Sequence, residues 1–165
     1  MYGGRSRAHH PPSDIETGIR VTNVGFRLGT WNHMGGNGAQ RGLVTAANAS
    51  FHFADGSRRS PDAAWFDAKR WKEAQKPGTL FPVFAPEFVV EVRSPEQRAR
   101  PLREKMDEYI ANGVQLGWLI DPIEGTVTIY RPGQEPELLN RPASVSGEGP
   151  VEGFVLDLTG ILTGS

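Results

Sequence analysis

The sequence predicts a mixed α/β fold: one β-sheet flanked by helices in the order αβββαβ, with extra strands toward the C-terminus. Three observations carry that expectation. Phe88-Val89-Val90-Glu91-Val92 is a nearly unbroken run of large apolar and β-branched residues, as in a central strand covered on both faces. Val21, Val24, Leu28 and Trp31 fall at i, i+3, i+7 and i+10, one face of a helix. Leu102, Met106, Tyr109 and Ile110 form a second such stripe. With 165 residues, the chain is long enough for one domain with a sizeable core.

The elements follow in order. Residues 1–15, rich in Gly, Arg, His and Pro, read as a disordered tail, leaving 16–165 as the domain. His9-His10 belongs to that tail rather than to a metal site, since no third ligand is near in sequence. The first helix runs from Glu16 to about His33, weakened by Gly25 and Gly29 and ended by Gly35-Gly36-Asn37-Gly38. Short strands follow at about 42–46, 49–54 and 61–66, the last two separated by the hairpin-type turn Asp55-Gly56-Ser57-Arg58. Asp67 to Gln75 suits a short helix, and Pro77 to Pro86 a loop. After the Glu91 strand, a helix from about Arg100 to Asn112 is closed by Gly113. Val114 to Ile120 is a further apolar strand, and Thr126 to Tyr130 pairs with it across the turn at Glu124-Gly125. A stretch rich in Pro and Gly from 131 to 153 leads to a last strand near Phe154–Leu158, and no internal repeat is present.

Composition narrows the class. An apolar content of 38% with 22% charged residues fits a soluble globular protein. No apolar run approaches the roughly 18 residues of a membrane span, and Met1 to Ser13 lacks the apolar core of a secretory signal. Zero cysteines exclude disulfides and thiolate metal sites, and are compatible with the reducing cytoplasm. The net charge of −1 hides a division: residues 1–105 carry 16 Lys/Arg against 10 Asp/Glu, and residues 106–165 carry 2 against 9. A basic half can face a polyanion such as DNA, and ordinary surface charge explains it equally well.

Glu91 is the chemical anomaly. An ionised carboxylate inside an apolar strand costs several kcal/mol unless it is paired, hydrogen-bonded or metal-bound. Three groups can reach it. Asp62, after Ser60-Pro61, opens a strand 29 residues upstream; the alternative is a turn Asp capping a neighbouring amide. Arg93 lies on the same strand face and could form an ion pair with Glu91. Lys105 sits at the edge of its helix's apolar stripe, where its ammonium can reach the sheet or its stem can simply cover apolar surface. Two carboxylates and a lysine on adjacent elements suit a hard cation such as Mg²⁺, with Mn²⁺ as a substitute, and hydrolysis of a phosphate ester.

The pattern resembles the PD-(D/E)XK nuclease superfamily and, within it, the Uma-type family of restriction endonucleases. The resemblance rests on Gly56-Ser57-Arg58-Arg59-Ser60-Pro61-Asp62, on Ala85-Pro86-Glu87-Phe88-Val89-Val90-Glu91-Val92-Arg93-Ser94-Pro95, and on Lys105-Met106-Asp107-Glu108-Tyr109. It continues through Gly113-Val114-Gln115-Leu116-Gly117-Trp118-Leu119-Ile120-Asp121-Pro122, and Glu16-Thr17-Gly18 opens the first helix in the same style. It spans roughly residues 16 to 160 and implies a restriction-endonuclease-like sheet. It also implies metal binding by Asp62, Glu91 and the backbone carbonyl of Val92. The superfamily's lysine belongs two residues after the glutamate, where this chain has Arg93. The resemblance implies that the lysine has moved to the next helix as Lys105, leaving Arg93 for a phosphate contact. Relatives begin with an acidic strand and hairpin that residues 1–15 do not supply, and Glu16 is the only local candidate for an extra acidic ligand.

The function these readings point to is a Mg²⁺-dependent endonuclease acting on DNA. Asp62, Glu91 and Lys105 are its catalytic residues, Arg58, Arg59, Arg98, Arg100 and Arg103 track the phosphate backbone, and two subunits could pair for a double-strand cut. The alternative is a catalytically inactive nuclease-fold module acting in DNA binding or assembly.

Overall fold

The computed structural model describes residues 14–34 and 41–162. Most of the expected tail, and the Gly35-Gly36-Asn37-Gly38 helix terminator, lie outside those residues. The two tail positions that are described belong to the domain. Helix α1 begins at Ile15 rather than Glu16, and the Asp14 side chain accepts a hydrogen bond from the Thr17 amide at 3.3 Å as its cap.

After α1 (Ile15–Met34) come β1 (Gly42–Ala46), β2 (Phe51–His52), β3 (Arg58–Arg59) and β4 (Ala63–Asp67). Next are α2 (Ala68–Ala74), β5 (Phe88–Val92), α3 (Ala99–Ala111), β6 (Leu116–Asp121) and β7 (Thr126–Tyr130). β8 (Glu137–Asn140), β9 (Ser144–Ser146) and β10 (Val155–Asp157) complete the chain. The main sheet is six-stranded in the order β1-β4-β5-β6-β7-β8. Only β5 and β6 run parallel, and α3 is the crossover between them.

Two sequence expectations are corrected here. The strand at 49–54 shrinks to β2, which pairs with the unforeseen β3 in a separate hairpin (His52 opposite Arg58, Phe51 opposite Arg59). The stretch from 131 to 153 is not only loop: β8 extends the main sheet and β9 pairs with β10.

β5 is buried along its whole length, and period two sorts its side chains. Phe88, Val90 and Val92 pack in the core that α1 closes with Val24 and Leu28, together with Trp65, Trp118 and Phe154. Val89 packs on the opposite side with Leu102, Met106 and Tyr109 of α3. Alternation therefore turns Glu91 toward α3. Gly117 of β6 lets that helix sit close, since a Cβ there would fall 2.8 Å from Met106 Cε. Gly113, at φ 107°, supplies the left-handed turn that ends α3.

Candidate active site

Glu91 is 3% exposed, so its carboxylate needs partners, and α3 provides two. Lys105 Nζ lies 3.1 Å from Glu91 Oε2. The hydroxyl of Tyr109, one helical turn further on, donates to the same oxygen at 2.6 Å. The i, i+4 spacing of Lys105 and Tyr109 sets both on the helix face above β5. Burial, then the charge of Glu91 and the bond to it, pushes the Tyr109 hydroxyl well above its ordinary range. It is therefore a donor at any working pH.

Asp62 reaches the site from just before β4. Its Oδ2 accepts the Val92 amide at 2.8 Å, tying the entry of β4 to the end of β5. Burial and the adjacent Glu91 charge push the Asp62 carboxyl up to about 7, against relief from the Val92 amide and Lys105. Asp62 therefore keeps its proton to a higher pH than an ordinary carboxyl does. Because a strand residue's N–H and C=O point to the same side, the Val92 carbonyl faces the Asp62 edge as well.

The donor set fits a hard divalent cation. Carboxylate and carbonyl oxygens are its preferred ligands, and a divalent cation there would offset the charge of both carboxylates. No cluster of three or more His, Cys, Asp or Glu able to hold a metal occurs among the described residues. The set is two carboxylates and a carbonyl, which suits an ion that keeps several of its waters.

Asp62, Glu91, Val92 and Lys105 line one open cleft of about 410 Å³, together with Arg58, Arg59, Glu96 and Gln97. The four predicted site positions are thus brought together. Other expectations change. Arg93 does not pair with Glu91: β5 ends at Val92, and the Arg93 guanidinium meets Asp121 at the end of neighbouring β6, 2.9 Å away, with Nε donating to the Gln97 carbonyl. Both partners of that pair are largely buried, so Arg93 is committed to structure. Glu16 is exposed, and its neighbour Thr17 lines the cleft instead. Of the expected backbone-tracking arginines, Arg59 is bound to Glu108 and Arg100 to Glu104, whereas Arg58, Arg98 and Arg103 have no ion pair among the described residues, and of these three only Arg58 lines the cleft.

The spacing of Tyr109 places it in the apolar stripe of its helix, and nothing in the sequence signals where its hydroxyl ends. Glu87 is a second buried carboxylate that sequence reasoning passed over. Arg70 pairs with it at 2.6 Å, which makes it structural.

The family model Uma2, described as "Putative restriction endonuclease", matches residues 3–159. Among solved structures, the chain is similar to the crystal structure of a putative nuclease belonging to DUF820 from Anabaena variabilis ATCC 29413. The TM-score is 0.75 at 21% identity, over 92% of this chain and 83% of that one. That likeness concerns the fold. No curated protein matches the sequence.

Proposed function

The chain belongs to the Uma2 putative restriction endonuclease family, and from that premise we propose that it is a metal-dependent endonuclease hydrolysing DNA phosphodiester bonds. The observation that carries the reading is the meeting of Asp62, Glu91 and Lys105 in one cleft, with Lys105 3.1 Å from Glu91.

Asp62, Glu91 and the Val92 carbonyl would hold Mg²⁺ or Mn²⁺. A bound divalent ion supplies an acidified water and offsets charge building on the phosphate. Lys105 neutralises Glu91 and orients the attacking water from the α3 side, while Tyr109 holds Glu91 in place. Arg58, unpaired at the cleft wall, is free to meet a phosphate. In the hydrolysis, the water oxygen bonds to phosphorus as the bond to the leaving oxygen breaks. No helix among the described residues is long and apolar enough to cross a membrane; action in the cytoplasm is part of the same proposal. So is pairing of two copies for a double-strand cut.

The test is incubation of supercoiled plasmid with the protein and Mg²⁺ or Mn²⁺, beside Asp62→Ala, Glu91→Ala and Lys105→Ala. Metal-dependent nicking by wild type and its loss in all three variants is expected. Wild-type activity no different from the variants would sink the assignment. DNA binding without any cleavage would instead favour the non-catalytic module, and linear product formed directly would support paired subunits.

A further inference from the structure

We propose that the cavity beside the cleft, capped by the stacked pair His52 and Phe81, is a subsite for one unpaired nucleobase of the DNA strand being cut. The proposal rests on the nuclease reading above.

The cavity holds about 220 Å³ and is lined largely by aromatic and apolar side chains, among them Phe66, Trp71 and Phe84. That is below the ~300–1,000 Å³ usual for pockets of drug-sized ligands and suits a single planar ring system. At its rim the rings of His52 and Phe81 stack with centroids 4.7 Å apart and planes 23° from parallel. Phe81 is nevertheless 60% exposed and Leu80 is 81% exposed, an apolar rim without cover from the described chain.

Position singles out the occupant. Two pairs of residues form the wall between cavity and cleft. Ser50, lining the cavity, is hydrogen-bonded to Ser60, lining the cleft, with 2.9 Å between their hydroxyl oxygens. His52, lining the cavity, is the cross-strand partner of Arg58, lining the cleft. Arg58 is exposed, lines the cleft and has no ion pair among the described residues. An occupant that puts a flat heterocycle against His52–Phe81 and an anion against Arg58 is a nucleotide. Asp62 is four positions on from Arg58, at most about 14 Å of extended chain. At a rise of ~3.4 Å per nucleotide, the base held here would lie within about four nucleotides of the scissile phosphate. A base inside a duplex cannot enter such a cavity. The subsite therefore selects a strand that is single, frayed or bulged near the cut.

The experiment measures fluorescence anisotropy of labelled 12-mer DNA in EDTA, so that no cleavage intervenes. The ligands are a single strand, its perfect duplex, and single strands carrying one abasic site at successive positions. The proteins are wild type, Phe81→Ala and Phe81→Tyr. Phe81 is exposed, so these variants should fold, and their melting temperatures verify it. Wild type should bind the single strand more tightly than the duplex. Phe81→Ala should lose roughly tenfold on the single strand, Phe81→Tyr should not, and an abasic site at one position should remove the difference between wild type and Phe81→Ala. Equal binding of the intact single strand by wild type and Phe81→Ala would overturn the subsite while leaving the nuclease reading in place. Failure of wild type to bind any single strand would likewise overturn the subsite, whereas the nuclease reading is overturned only by the plasmid assay with Mg²⁺ or Mn²⁺.

Discussion

The Tyr109 hydroxyl donates to Glu91 Oε2 at 2.6 Å, so a helix side chain fixes the orientation of a buried strand carboxylate. Tyr109→Phe keeps the ring and its edge-on contact with Phe53 while removing only the donor. A loss of about 1–3 kcal/mol in thermal or denaturant stability is expected. Metal-dependent plasmid nicking should fall by roughly 10- to 100-fold, the usual effect of removing a partner of a metal ligand. If both quantities stay at wild-type values, the hydroxyl has no role.

Arg93 and Lys105 should separate cleanly. Arg93→Ala breaks the pair with Asp121 at 2.9 Å, so melting temperature falls while nicking per folded molecule persists. Lys105→Ala strips the cation 3.1 Å from Glu91, so nicking is lost. Arg93→Lys combined with Lys105→Ala should not restore it, because position 93 is turned toward Asp121. Restored nicking in that double variant would return the catalytic cation to the strand.

Without metal, stability should fall as pH rises from about 4 to about 7. Asp62 is pushed up to about 7 in the folded chain against 3.8 for an ordinary Asp. Between those values the folded state holds a proton that the unfolded state has released, so raising pH favours unfolding. Asp62→Asn removes this titration and should flatten that part of the curve in EDTA. A thermal melt series across this pH range checks it, and identical slopes for the two proteins would reject the raised Asp62 titration.

Divalent metal should reverse the trend. Mg²⁺ or Mn²⁺ competes with that proton, so its binding should tighten as pH rises toward 7, and saturating ion should raise the wild-type melting temperature. Asp62→Asn and Glu91→Gln should each abolish most of that rise. Titration calorimetry with MnCl₂ provides the second readout; wild-type heats matched by both variants would place the ion elsewhere.

The strongly periodic elements were legible in the sequence: β1 and β7 fall at their predicted bounds, and α1 and α3 within a residue. Burial of β5 on both faces followed from its composition. β8 was hidden because Pro and Gly at 131–136 mask a strand that gains its stability only by pairing with β7. The Asp62–Glu91–Lys105 cluster could be sought because a charge in an apolar strand demands an explanation. The fate of Arg93 could not. Its partner lies 28 residues away on the next strand, and the choice between two carboxylates depends on where β5 stops. Tyr109 shows the same limit, since spacing reveals which face a residue occupies and not what its terminal atom touches.

The parallel pairing of β5 with β6 obliges the chain to travel back across the sheet before it can resume. That return journey is α3, and it delivers both donors to Glu91. A chain cut or re-spliced within α3 would forfeit more than a covering layer, because the carboxylates would remain on the sheet with their cation and their hydroxyl carried off by the connection. The route of the polypeptide is itself part of how the cleft is built.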